Sequence, residues 1–206
     1  MTHKSTPFLE DDPRMNRLVE EALARGATGA AIIAAADIVV EDALAEKCRH
    51  PGCPNYALSK SCPPHVAGPA AFKKQLEAFA RALFFKIELP SEILYSSDRR
   101  ELFELLHETA AGIERAAVHM GFIRARAFAG DSCKQIFCYS HKECRALLKN
   151  GTCRHPESAR PSMSGFGIHV AKLYTAAGWT MAGPVAREAD SPEDRMASIC
   201  GLVLID

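Results

Sequence analysis

An α/β or α+β fold is what this sequence predicts: a mixed sheet of four or five strands, helices layered on it, and two cysteine-rich loops projecting from it, all in one domain spanning residues 1–206. Three observations carry that expectation. Segments with apolar residues every three or four positions alternate with short runs of strand composition. Glycine or proline punctuates nearly every junction. Seven of the eight cysteines fall in two stretches where neither periodicity is present.

Taken in order, residues 14–25 place Met15, Leu18, Val19, Ala22 and Leu23 at helical spacing and stop at Gly26. Residues 30–36 read as a buried strand. Residues 42–47 form a short helix leading into the first cysteine, and residues 48–69, broken by Pro51, Pro54, Pro63, Pro64 and Pro69, form the first loop. A helix over 70–81 follows, then a strand over 83–89. The longest amphipathic pattern, 98–120, carries Leu102, Leu105, Leu106, Ile113, Ala116 and Ala117 on one side and closes at Gly121. A strand over 122–129 turns at Gly130-Asp131 into the second loop, 133–161. A helix over 168–177 follows the Ser164–Gly167 turn, and a strand over 201–205 ends the pattern. The stretch 89–97, with Pro90, is the one candidate linker.

Composition excludes several classes. The chain is 48% hydrophobic and 24% charged, which is globular and not disordered. Twenty-five Lys and Arg against twenty-five Asp and Glu leave no excess positive potential, so nucleic acid is not expected as a partner. The apolar run 29–40 is interrupted by Asp37 and falls short of the roughly 20 residues that span a bilayer, so no membrane association is expected. Glu10, Asp11, Asp12, Glu20 and Glu21 argue against a leader peptide, and the expected location is the cytoplasm. Thiols stay reduced there unless a metal or catalysis uses them, which turns the cysteines into a metal-site argument.

The first loop reads C-x4-C-P-x7-C-P-P with Cys48, Cys53 and Cys62; the second reads C-x4-C-x5-C-x8-C with Cys133, Cys138, Cys144 and Cys153. Thiolates suit zinc and iron–sulfur clusters alike. Structural zinc sites favour cysteine pairs two to four residues apart, closed by a tight knuckle, and no C-x-x-C occurs here. A [4Fe–4S] core is wider and accepts longer spacing, and Cys-Pro steps such as Cys53-Pro54 also occur in ferredoxin loops. Two [4Fe–4S] clusters are therefore expected, one with four cysteines and one with three, and zinc is the alternative. Cys200, beside the apolar run 201–205, reads as an inert buried thiol. The fourth position of the first cluster is then left to water, a substrate, or a histidine such as His65.

Cys-Arg-His-Pro occurs twice, at 48–51 and 153–156. Arg154 and Arg160, with Arg49, Lys134, Lys142 and Arg145 nearby, are placed to offset the negative charge of a thiolate-ligated cluster. Solvated surface charge is the plainer reading of Lys134 and Lys142. His50, His141, His155 and His169 are expected mainly to hydrogen-bond sulfur or loop carbonyls. Tyr56, Phe137 and Tyr139 would shield a cluster from water, and the 162–167 segment would cap a helix or present N–H groups to an anion.

The run CPNYALSKSCPP at 53–64, AGDSCKQIFC at 129–138 and GTCRHPESARPSMSGFGIHV at 151–170 together resemble the prokaryotic predicted metal-binding protein family called domain of unknown function 2284. The resemblance covers nearly the whole chain. It implies a cysteine-ligated metal centre of iron–sulfur type and no established reaction. The expected function is a redox or electron-transfer module, or the cluster-bearing part of a small reductase, served by a redox partner protein or a small-molecule substrate. The alternatives are a zinc-stabilised interaction protein and a metal or cluster carrier.

Overall fold

A computed structural model describes residues 12–181 and 196–206. Glu10 and Asp11, part of the acidic stretch that argues against a leader, lie outside the described residues. Four strands, β1 (Gly29–Ala34), β2 (Arg81–Pro90), β3 (Arg126–Phe128) and β4 (Met196–Ile205), form one sheet in the order β1-β2-β4-β3. Among the described residues six α-helices accompany them: α1 (Pro13–Ala24), α2 (Asp42–Glu46), α3 (Gly68–Leu76), α4 (Arg99–His119), α5 (Cys133–Ile136) and α6 (Val170–Ala176).

The class is α+β, and every ladder in the sheet is antiparallel rather than mixed. A helix between two strands does not fix their relative direction. However long the β1–β2 connection, it brings the chain back to the end at which it left, since Ala34, last in β1, pairs with Arg81, first in β2. Strands β2 and β4 pair over ten residues, from Arg81↔Ile205 to Pro90↔Met196. Both outrun the expected spans because Ala197 and Ile199 continue the inward alternation past the polar Ser198 and Cys200. The third strand is shorter than expected: Phe122 is buried, but from a turn outside the ladder. The stretch around Pro90 is no linker, since Ile93 and Leu94 in the turn after β2 pack against the core.

Side chains alternate between the two faces of the sheet, and both faces are covered. On one, Leu83, Phe85, Ile87, Val203 and Ile205 meet α1 through Leu18 and Ala22, and α4 through Leu106, Ala110 and Ile113. On the other, Phe84, Leu202 and Leu204 meet Phe72 of α3, Phe166, and Leu173 and Tyr174 of α6. Full burial of each such side chain contributes roughly 1.5–3 kcal/mol. Gly201 is required in β4, because a Cβ there would sit 2.5 Å from the Phe85 ring and 3.1 Å from the Phe128 carbonyl.

The two cysteine segments leave the sheet and pack on each other. The Asn55 side chain donates to Asp131 Oδ1 at 3.1 Å, and the Ser162 N–H donates to the Ser61 carbonyl at 3.1 Å. Single turns interrupt both segments, at Cys48–Gly52, Cys133–Ile136 and Arg145–Leu147.

Candidate metal centre

All eight cysteines are free thiols. In the second segment α5 supplies one turn, with the Phe137 N–H donating to the Cys133 carbonyl at 3.0 Å. Lys134 is 8% exposed, and its Nζ donates to the carbonyls of Cys138 (2.9 Å) and His141 (2.7 Å), drawing the chain back over Cys133. Arg145 reaches the Thr152 carbonyl at 2.8 Å and the Cys153 carbonyl at 3.1 Å, which folds the 145–152 stretch into a closed turn. Cys133, Cys138, Cys144 and Cys153 consequently line one narrow cavity of about 20 Å3. Lys134, Arg145 and Arg154 line it too, and among the described residues no carboxylate does. A buried ammonium held only by carbonyls is costly unless negative charge lies nearby, and ionised thiolates would supply it.

In the first segment the Cys53 N–H closes a turn on the Cys48 carbonyl (2.9 Å), and the Ala57 N–H donates to the Pro63 carbonyl (2.7 Å), doubling the loop back. Cys48, Cys53 and Cys62 line a second, larger cavity of about 410 Å3, together with Lys47, Tyr56 and His169. Its far wall is the 162–170 segment. Gly167 sits at φ 71°, and a Cβ there would meet the Glu41 carbonyl at 2.3 Å. Burial and the neighbouring Cys53 and Cys62 raise Cys48 above the usual thiol range, and burial pushes Cys133 up to about 11. Both are therefore neutral thiols at pH 7 unless a metal displaces the proton. Among the described residues no three His, Cys, Asp or Glu side chains are grouped closely enough to hold a single metal ion.

The family model described as "Predicted metal-binding protein (DUF2284)" matches residues 31–205. The chain belongs to that family. No curated protein and no solved structure matches it.

The second cysteine segment of this DUF2284 protein is anchored by α4. His107, fully buried, donates from Nε2 to the Gly130 carbonyl at 3.0 Å and accepts at Nδ1 from the Arg160 N–H at 3.1 Å. One neutral imidazole thus pins both ends of the segment, and burial pushes its pKa down to about 4. Glu114 accepts from the Ala127 N–H at 2.8 Å and pairs with the Arg160 guanidinium at 2.5 Å. Neither His107 nor Glu114 was legible as a site residue, because both sit inside the α4 pattern and read as helix.

Arg160 does not line the four-cysteine cavity; its guanidinium serves Glu114 and the carbonyls of Pro156 and Ala159. Arg154 does line it, and donates to the Glu143 carbonyl at 3.2 Å. The His155 N–H donates to Cys153 Sγ at 3.3 Å, and its ring stacks on Phe137 at 5.2 Å. His65 does not line the first cavity: its Nε2 bonds the Ala57 carbonyl at 3.2 Å. Tyr139 is 59% exposed beneath Arg100 and shields neither cavity. Cys200 packs with the core around Phe84 and Leu202, and burial pushes it up to about 12. In the 162–167 segment the N–H groups of Gly165 and Gly167 are taken by the carbonyls of Ser162 and Ser164, and the residue that caps α6 is His169, beyond the segment.

Proposed function

We propose that the protein is an iron–sulfur redox module, or the cluster-bearing part of a small reductase, with one centre held by Cys133, Cys138, Cys144 and Cys153 and another by Cys48, Cys53 and Cys62. The observation that carries this reading is the second set: three free thiols lining a 410 Å3 cavity, with no fourth thiol among its lining residues. That space and that donor set suit a multinuclear centre with one position open to exchange, and the Lys47, Tyr56 and His169 side chains around it suit a small polar ligand. When bound, such a centre accepts and releases single electrons. The chain contributes thiolate ligands, three cations beside the four-cysteine set, and aromatic cover from Phe137. Eight unpaired thiols suit a reducing compartment, and we place the protein in the cytoplasm, with a redox partner protein or a small-molecule substrate.

Zinc in the second segment is the competing reading. The 20 Å3 cavity has room for about one water-sized body, so four thiols would close on a single ion with less opening of the segment than a cluster needs. Purification without air, followed by iron, sulfide and zinc analysis, separates the two. Iron and sulfide in equal amounts support the iron–sulfur reading, and zinc without sulfide refutes it. Cys→Ser replacement at any of the seven loop positions should alter the charge-transfer absorption, while Cys200→Ser should leave it intact.

A further inference from the structure

The two cysteine cavities meet at a pair of Ser-Cys dipeptides. Ser61 precedes Cys62 in the first segment, yet its hydroxyl lies 2.6 Å from the sulfur of Cys133 in the second. Ser132 precedes Cys133, yet its hydroxyl lies 3.4 Å from the sulfur of Cys62. Each serine contacts the cysteine of the opposite segment. The backbones around them are fixed: the Ser61 carbonyl accepts from the Ser162 N–H, and the Ser132 N–H donates to Asp131 Oδ1 at 2.7 Å. Ser132 and Ser59 are fully buried and their hydroxyls lie 3.5 Å apart, so the junction is a small polar island.

We propose that this exchange makes each segment tune the metal centre of the other: Ser61 sets the reduction potential of the four-cysteine centre through Cys133, and Ser132 that of the three-cysteine centre through Cys62. The proposal rests on the iron–sulfur reading above. With free thiols either partner can donate between Ser61 and Cys133, whereas the Cys62 thiol donates to the Ser132 hydroxyl. Once a metal has displaced the thiol proton, only the hydroxyl carries one, and both serines become donors to sulfur. A hydrogen bond to a ligating sulfur draws off negative charge and favours the reduced state, so it raises the potential. Both hydroxyls lie within hydrogen-bond reach of the sulfur in the opposite segment. The hydroxyls are in place only when both segments are folded against each other, so the state of one segment is felt at the other's centre.

The test is a redox titration followed by electron paramagnetic resonance on protein loaded and purified without air. Cys144→Ser and Cys48→Ser assign the signals to the four- and three-cysteine centres. Ser61→Ala should shift the four-cysteine centre to more negative potential and leave the other in place; Ser132→Ala should shift the three-cysteine centre to more negative potential and leave the four-cysteine centre in place. A shape-matched pair, Ser61→Thr and Ser61→Val, isolates the hydroxyl from packing, and only the threonine should keep the wild-type potential. If each alanine shifts the centre of its own segment, or neither shifts while iron and sulfide stay at wild-type amounts, the crossed tuning is wrong and the iron–sulfur reading survives. Protein carrying zinc and no iron overturns both.

Discussion

Acid should loosen the second cysteine segment through His107 before it reaches the rest of the fold. The imidazole is fully buried, donates through Nε2 to Gly130 and accepts through Nδ1 from Arg160, so a second ring proton would set donor against donor at the end of the segment. Burial is the main cause of its lowered pKa; the Gly130 bond and the Asp131 charge oppose the shift, and the Arg160 charge adds to it. As the pH falls below 6.5 the unfolded chain binds a proton at this position, whereas the folded protein does not until about 4. The group's contribution is thus complete above pH 6.5 and is lost between 6.5 and 4, at about 1.4 kcal/mol per pH unit, or about 3 kcal/mol in all. Urea unfolding of the metal-loaded protein at several pH values, compared with His107→Gln, isolates this effect, because the carboxylates and thiolate ligands titrate in both proteins. The wild type should lose about 3 kcal/mol more than the variant between pH 7 and pH 4, and protease should cut within 133–160 first. Parallel stability curves for the two proteins would refute the reasoning.

Three other perturbations have defined outcomes. Lys134→Met leaves the Cys138 and His141 carbonyls without their charged donor and should cost about 2–4 kcal/mol, read by urea unfolding, with faster metal loss on dialysis. Glu114→Ala strands the Arg160 guanidinium and the Ala127 N–H; a loss of about 3–5 kcal/mol is expected, and the double variant Glu114→Leu, Arg160→Met should lose less than the single one. Chelation of the metal should expose both cysteine segments to protease while the circular dichroism of the sheet persists, since coordination offsets the ordering entropy of chain that has few ladder bonds of its own.

Much of the scaffold was legible because local chemistry and tertiary structure agree. The α4 helix runs from Arg99 to His119 against an expected 98–120, since its apolar stripe and Gly121 leave little choice. The division of the cysteines into four and three was legible from segment boundaries, and the structure places those same groups around two separate cavities. What was not legible is the cross-segment chemistry. Ser61 meets Cys133 across 72 residues, and His107 meets Arg160 across 53, and no periodicity encodes either. Arg160 read as charge compensation for a cluster because its partner, Glu114, lies in a helix whose surface residues all look alike in sequence. Lys134 carries no local sign of burial; only the docking of α5 beneath its own segment shows that it is a buried cation.

The position of β4 has a consequence for how the protein is made. Of the four strands described it is synthesised last, yet it lies between β2 and β3, and among the described residues β3 pairs with nothing else in the sheet. A ribosome-bound chain therefore exposes all seven loop cysteines before the sheet beneath them can close. At about 5–20 residues per second, the interval between Cys153 and the completion of β4 lasts several seconds. Metal insertion into a finished scaffold must wait for β4, and during that interval the nascent thiols depend on the reducing power of their surroundings to remain single.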